Sequence, residues 1–379
     1  MKTLLMLSIA AVIAGCSPKV TETESPSGSE LGFSINLFRN AVKHSGADEN
    51  ITVSPYSAGV AISMLTEGAD GQTKVELDNA LNGCLFRNTD LGNNDSHIID
   101  SANSVWLDDD FSVRNSYVNH LSKEYDALVT TLRFSDPETV KAINNWCSEN
   151  TEGMIDNILD ELTPQDVMVL INALYFKAPW QNPFDPSSTS SAVFHGSEGE
   201  VTVPFMNQKL FCDYVEYEGN QMVRLPYKGD RYSMYILLPS EKEGVQGLLP
   251  YITENGLKEV LSHMSQARIK LSVPKFRTET GLSLVKTLES MGVRSVFSSA
   301  ADLTGIAHGP LSVSDVIQKT VVDVDETGSE AAAVTAIRVR MTSARIDQDP
   351  VMNVNRPFYY MIADMEHDRI LFAGRIMNL

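Results

Sequence analysis

The chain has 379 residues, 43% of them hydrophobic, enough for one large domain or two modest ones with a sizeable core. Its 49 acidic against 30 basic residues give a formal net charge of -19. That balance argues against nucleic acid and anionic lipid surfaces as partners, because such contacts need clustered Lys and Arg.

Residues 1–15 read as an export signal, with Lys2 as the positive start, an apolar run over 4–14, and Ile13, Ala14 and Gly15 leading to Cys16. The run is too short for a membrane span. Ile-Ala-Gly-Cys resembles a bacterial lipobox, in which the cysteine carries the lipid and becomes the mature N-terminus. Residues 16–30, rich in Ser, Thr and Glu, then form a tether. The expected location is the cell envelope, anchored through Cys16 in the membrane and facing outward, with release to the exterior as a further possibility. Three cysteines remain, Cys84, Cys147 and Cys212. Their odd number and wide spacing exclude a disulfide framework or a C-x-x-C site and leave core thiols.

Residues 31–43 carry apolar side chains at helical spacing. Residues 50–81 read as a short strand, a turn at Ser54 and Pro55, a buried helix, and a second helix capped near Asp70. Ser54 and Ser57 suit helix capping. The segment 102–107, a helical stretch through Tyr125, a strand over 128–134 and the segment 143–159 follow. The stretch 167–186 is almost continuously apolar, as a strand buried on both faces must be. Asn172 is the lone polar residue in its middle. A buried amide without partners costs a few kcal/mol, so Asn172 predicts polar groups close by. Residues 201–208, 223–239 and 269–297 supply further strands, hairpin turns and one amphipathic helix, and 354–376 gives two strands joined by a polar turn at 366–368. Strands interspersed irregularly with helices point to a mixed α+β domain.

No G-x-S-x-G, H-E-x-x-H, P-loop or dinucleotide motif occurs. The seven histidines, among them His44, His97, His120, His195 and His263, lack metal-ligand spacing, and Asp108 to Asp110 read as a solvated turn. The expectation is no enzyme, no cofactor and no metal.

The segment 325–345 is different in kind. From Ser329 the alternate positions Ala331, Ala333, Thr335, Ile337 and Val339 are small or apolar, while Glu330, Arg338 and Arg340 lie on the other face. Period-two alternation signals a strand, yet the alanine run favours helix. Read alone, the window fits either an alanine-rich helix end or a strand waiting for a sheet.

Glu326, Gly328, Ser329, Glu330, Ala331, Ala332 and Ala333 reproduce E-x-G-[ST]-E-A-A-A, the reactive-centre hinge of the serpins. The SPYS run at Ser54 to Ser57 and the P-F-x-x-x-I…ILFxGR ending resemble the same family, and the likeness extends over residues 31–379. It implies one α+β domain of the serpin fold, with about three β-sheets, about eight to nine helices and an exposed reactive-centre loop at about 326–350. It also implies a suicide-substrate inhibitor of serine endopeptidases: a metastable monomer that is cut in the loop, forms a covalent acyl-enzyme and inserts the loop into its central sheet. In that scheme Ser54, Ser57 and Asn172 sit under the sheet centre, and Trp180 marks the top where insertion begins. Glu326 pairs with Lys275, Gly328 lets the hinge bend, and Ser329 enters first. Gln318 replaces a customary histidine, keeping hydrogen bonds but no protonation switch. Counting along the family pattern puts the cut between Thr342 and Ser343, with Arg340, Met341 and Arg345 as alternatives, which implies broad specificity spanning elastase-like, subtilisin-like and trypsin-like enzymes. Residues 83–101 depart from the family and are too few for the helix that binds polyanions in some members. The alternative reading is a non-inhibitory serpin acting as an envelope binding or chaperone-like protein.

Overall fold

The structure, a computed structural model, describes residues 28–87, 91, 98–241, 244–329 and 349–379. Seven α-helices are described: α1 (Glu30–His44), α2 (Pro55–Thr66), α3 (Gly71–Ala80), α4 (Asn115–Tyr125), α5 (Glu138–Glu149), α6 (Glu254–Ser262) and α7 (Val285–Ser290). The strands are β1 (Ile51–Val53), β2 (Ile98–Asp108), β3 (Leu128–Leu132), β4 (Met168–Pro179), β5 (Ser190–Gly196), β6 (Gly199–Tyr217), β7 (Asn220–Pro226) and β8 (Tyr232–Leu238). They continue as β9 (Ser265–Pro274), β10 (Phe276–Ser283), β11 (Asp315–Val324), β12 (Gly328–Ser329), β13 (Val351–Asn353), β14 (Phe358–Asp364) and β15 (Arg369–Ile376).

The apolar run becomes β4, at the centre of a six-stranded sheet ordered β10-β11-β12-β4-β2-β3. Its two faces explain its composition. Val169, Ile171 and Ala173 pack on one side with Ile317, Val321 and the α5 residues Ile143 and Cys147. Met168, Leu170, Leu174 and Phe176 point the other way into the main core, which includes α2. Helix α2 is itself buried at every position, so it carries no polar stripe. Ser54 caps it, accepting a bond from the Ser57 N–H at 3.2 Å, and Pro55 occupies its first turn.

Where about three sheets were expected, the described strands form two, because β6 is continuous over 19 residues. Its first part pairs with β5 and β9, and residues 214–217 pair with β7, fusing two expected sheets into one of nine strands. The strand read over 201–208 is therefore the first half of a longer one. Beyond it, exposed Lys209 and Phe211 and half-buried Asp213 alternate with inward Leu210, Cys212 and Tyr214, a period of two carried by side chains that do not look like a core strand. Seven α-helices are described, against about eight to nine expected.

Cys147 and Cys212 are buried and Cys84 is half-buried, all as free thiols. Burial pushes the first two up to about 12, which keeps them protonated and unreactive.

Candidate functional site

The site lies along the seam between β11 and β4. These strands pair in parallel from Asp315 opposite Val169 to Val321 opposite Tyr175. Above that point they part, and β12 stands between them: Ser329 faces Val324 on one side and Ala178 on the other, and Gly328 faces Pro179. The first two residues of a further strand thus already occupy the mouth of the seam.

A tight turn brings the chain there. The Asp325 carboxylate accepts from the Thr327 N–H (2.8 Å), the Thr327 hydroxyl (2.7 Å) and the Gly328 N–H (3.2 Å), while the Asp325 N–H donates to the Gly328 carbonyl (3.0 Å). The side chain of Glu326 reaches sideways. One of its oxygens pairs with the Lys275 ammonium at 2.8 Å and the other accepts from the Thr189 hydroxyl at 2.7 Å. Burial alone would raise the Glu326 carboxyl, but the bonds from Lys275 and Thr189 outweigh it and hold the group below the usual value. The hydrogen bond to Glu326 holds the Lys275 ammonium above its own.

Trp180 clamps the same turn. Its backbone N–H donates to the Thr327 carbonyl (2.8 Å) and its indole N–H to the Asp325 carbonyl (2.9 Å), while its ring stacks on Tyr227 at 4.5 Å between centroids. The Tyr227 hydroxyl in turn meets the Ser329 hydroxyl at 2.7 Å, and both residues are fully buried.

Gly328 is required for a reason the motif did not suggest. It is not among the residues with positive φ, so bending freedom is not what it supplies in this state. A Cβ built on it would lie 2.1 Å from the Ala178 carbonyl oxygen and 2.6 Å from the Pro179 Cα. Only a residue without a side chain lets the entering strand approach β4 so closely.

Below the mouth, a row of side-chain amides crosses the sheet at one register. Asn103 on β2 lies opposite Asn172 on β4, and Asn172 lies opposite Gln318 on β11. The Gln318 amide accepts from the Ser54 N–H (2.8 Å) and donates to the Ser54 carbonyl (2.9 Å) and to the Asn172 carbonyl oxygen (3.2 Å). The Ser57 hydroxyl also donates to that Asn172 oxygen, and the Asn172 NH2 donates to the Asn103 side-chain oxygen. All five residues are buried. Ser57 thus meets Asn172 directly, whereas Ser54 reaches it through Gln318. Every member of the row is uncharged.

Of the expected site residues, Ser54, Ser57, Asn172 and Gln318 meet in this row, and Trp180, Lys275, Glu326, Gly328 and Ser329 meet at the mouth. Glu330, Ala331, Ala332, Ala333, Arg340, Met341, Thr342, Ser343, Arg345 and Cys16 lie outside the described residues. Asn103, Thr189, Tyr227 and Asp325 were missed. Asn103 and Tyr227 sit within strand-like or turn-like sequence with no signal of their own, and only strand register brings them in. Asp325, three residues ahead of Gly328, carries the Asx-turn pattern of an acid before a tight turn, which was readable. The arrangement is mechanical: a closed seam held by neutral hydrogen bonds, with a short strand seated at its open end.

Comparison with known proteins gives a consistent picture. The family model described as "Serpin (serine protease inhibitor)" matches residues 29–379. The chain is 32% identical over 364 residues to an uncharacterised serpin-like protein of Thermococcus kodakarensis, covering 91% of this chain and 84% of that one. It is 34% identical over 368 residues to Iripin-2 of Ixodes ricinus, covering 92% of each. Among solved structures it is similar to the thermophilic serpin tengpin in its native state, with a TM-score of 0.85, 31% identity, and 92% and 93% of the two chains covered.

Proposed function

This chain belongs to the serpin family, whose members are generally protease inhibitors, and on that premise we propose that it traps serine endopeptidases by inserting its own cut loop along the β11–β4 seam. The protease serine attacks the carbonyl at the bait bond, the amine of the downstream residue leaves, and an ester joins enzyme to loop. Insertion ahead of hydrolysis carries the enzyme away from the head of the sheet.

The observation that carries this reading is the register of β12. Each further residue of an antiparallel strand advances one residue along both neighbours. Six residues beyond Ser329, Thr335 would fall beside Gln318 on β11 and beside Asn172 on β4. Those two are already each other's partners, so both edges of the seam accept one strand in one register. A threonine hydroxyl is donor and acceptor, and suits the gap that opens when the Gln318–Asn172 bond is broken. Three residues further, Arg338 would fall beside Asp315, whose carboxyl is raised by burial and accepts, among the described residues, from the Ser283 hydroxyl and the Val316 N–H. Ala331, Ala333, Ile337 and Val339 would share the inward face of Ser329.

About fourteen inserted residues at ~1 kcal/mol per backbone hydrogen bond, with the apolar burial, release on the order of ten to twenty kcal/mol. That matches or exceeds the net stability of an ordinary domain. The bait bond is Thr342–Ser343 by the family count, with Arg340, Met341 and Arg345 as alternatives. Because β4 begins at Met168, a cut at any of these positions frees enough chain to fill the seam. The test is incubation with trypsin, pancreatic elastase and subtilisin, followed by a denaturing gel. A denaturant-resistant complex with at least one enzyme is expected, and mass spectrometry of the released C-terminal fragment reads the cut. Cleavage by all three with no complex contradicts the proposal.

We propose further that the inhibitor is held at the cell envelope by lipid on Cys16, supported by the Ile-Ala-Gly-Cys run and the polar tether. Mass spectrometry of the mature N-terminus tests this: a lipid-modified Cys16 is expected, and an unmodified N-terminus contradicts it.

A further inference from the structure

The two most exposed large apolar side chains among the described residues, Phe211 at 59% and Val351 at 58%, lie on one face of the nine-stranded sheet. Register places them together. Phe211 on β6 faces Arg268 on β9, one row beyond Lys209 facing Lys270, and Lys270 in turn faces Val351 on β13. All three cations are exposed. Two acids adjoin the face. Asp349 lies 3.9 Å from Lys209 and 3.7 Å from Arg268, and Asp213 is taken up by Arg224 at 3.0 Å. A cationic rim around an exposed aromatic is unusual on a chain of net charge -19, and aromatic and cationic side chains are the groups that anchor protein interfaces.

Position says what meets it. Asp349 and Val351 are where the described chain resumes after the loop, and β13 pairs with β9 at once, so this face is the footing of the loop's downstream arm. Six residues lie between Thr342 and Asp349, so seven Cα steps give a reach of at most roughly 25 Å. A protease of ~220 residues has a radius of about 20 Å, so an enzyme seated on the bait bond overhangs this face.

We infer that Lys209, Phe211, Arg268, Lys270 and Val351 form a secondary docking surface that selects proteases carrying an acidic, partly apolar surface beside the active-site cleft. The inference rests on the trapping reading for its partner but concerns the encounter, before any bond is cut. Charge complementarity acts there by raising the rate and affinity of encounter, typically ten- to a thousandfold in rate, with strong dependence on salt.

The test uses the mature chain and two trypsin isoforms, one anionic and one cationic, each with its active-site serine replaced by alanine so that binding is read without cleavage. The variant Lys209→Glu/Arg268→Glu/Lys270→Glu is expected to weaken binding of the anionic isoform at least tenfold while leaving the cationic isoform equal or tighter. Phe211→Ser is expected to weaken the anionic isoform several-fold even at high salt. A control, Lys74→Glu/Lys123→Glu/Lys141→Glu on α3, α4 and α5, makes the same change in net charge and is expected to alter neither by more than twofold. Equal effects on both isoforms, no effect, or reproduction by the control overturns the inference. So does a wild-type dimer that Phe211→Ser dissolves, which would assign the face to a second copy of the chain. If active trypsin gives no covalent complex but the inactive isoforms still show the charge dependence, the trapping reading fails and the docking surface stands.

Discussion

At the scale of single residues, two locks of different chemistry hold the intact form. The mouth is locked by charge, through Glu326 and Lys275, and the seam by neutral amides, through Gln318, Asn172 and Asn103. They respond differently to pH. Glu326 is held below the usual carboxylate value of 4.5, so its contribution is present above that pH and fades as pH falls through the lowered value. Lys275 is held above 10.5, so its share is present below that pH and is lost as pH rises through the raised value. Across neutral pH the ion pair is complete, and acid removes it first. Because Lys275 is partly exposed, solvent screening limits the pair to about 1 kcal/mol. Glu326→Gln is therefore expected to lower the melting temperature of the intact form by roughly 1–2 °C at pH 7, with the gap to wild type closing as pH falls below 4.5. Thermal melts across pH 3 to 8 check this, and a gap that stays constant contradicts the assignment. No comparable titration is expected from the amide row. Legibility also differed between the locks. Asn172 announced itself as one polar residue in an apolar run, and the Glu326–Lys275 pair was implied by the family resemblance. Asn103 did not, since ANSVWL is already mixed in polarity and its role exists only through its position opposite Asn172.

At the scale of elements, the account turns on β12, only two residues long. Nothing in local propensity marks Gly328 and Ser329 as a strand, because what makes them one is the presence of β11 and β4 on either side. The motif pointed to Gly328, but its reason, the approach to Ala178, belongs to the packed state. β4 was legible because burial on both faces leaves its mark on every residue. The continuation of β6 was not, because its outward positions are occupied by charge and by Phe211. Register makes a sharp prediction about the segment beyond β12. Thr335→Asp would bring an unpaired carboxylate between Gln318 and Asn172, costing several kcal/mol if ionised. That variant is expected to be cut at the normal rate while the ratio of trapped to hydrolysed product falls at least tenfold. Val334→Glu, which the same register places on the opposite face beside the Lys319 ammonium, is expected to trap more nearly as wild type. Stoichiometry-of-inhibition titrations with both variants check this, and equal trapping by both would mean the strand enters in a different register.

At the scale of the whole molecule, the described residues close the central sheet by pairing β11 with β4 below the two-residue β12, and on the proposed reading that seam parts to admit one further strand. The α5 side of that sheet and the α2 side each present residues on β4 and β11 that a new strand would have to match, small and apolar inward at alternate positions. The loop has that pattern in its sequence, and on the proposed reading the continuous backbone from Ser329 to Asp349 is the connection whose cutting frees it to insert. The central claim is that cutting this connection lets the molecule fall to a more stable state. At ~2.1 cal/mol/K per residue for a domain of roughly 350 residues, a gain of ten to twenty kcal/mol raises the melting temperature by roughly 15–25 °C. The most direct test is to cleave the loop with a protease that is not retained, purify the nicked chain with both fragments associated, and record its melt beside that of the intact protein. A rise of that size is predicted, and a nicked form that melts at or below the intact one would contradict the account.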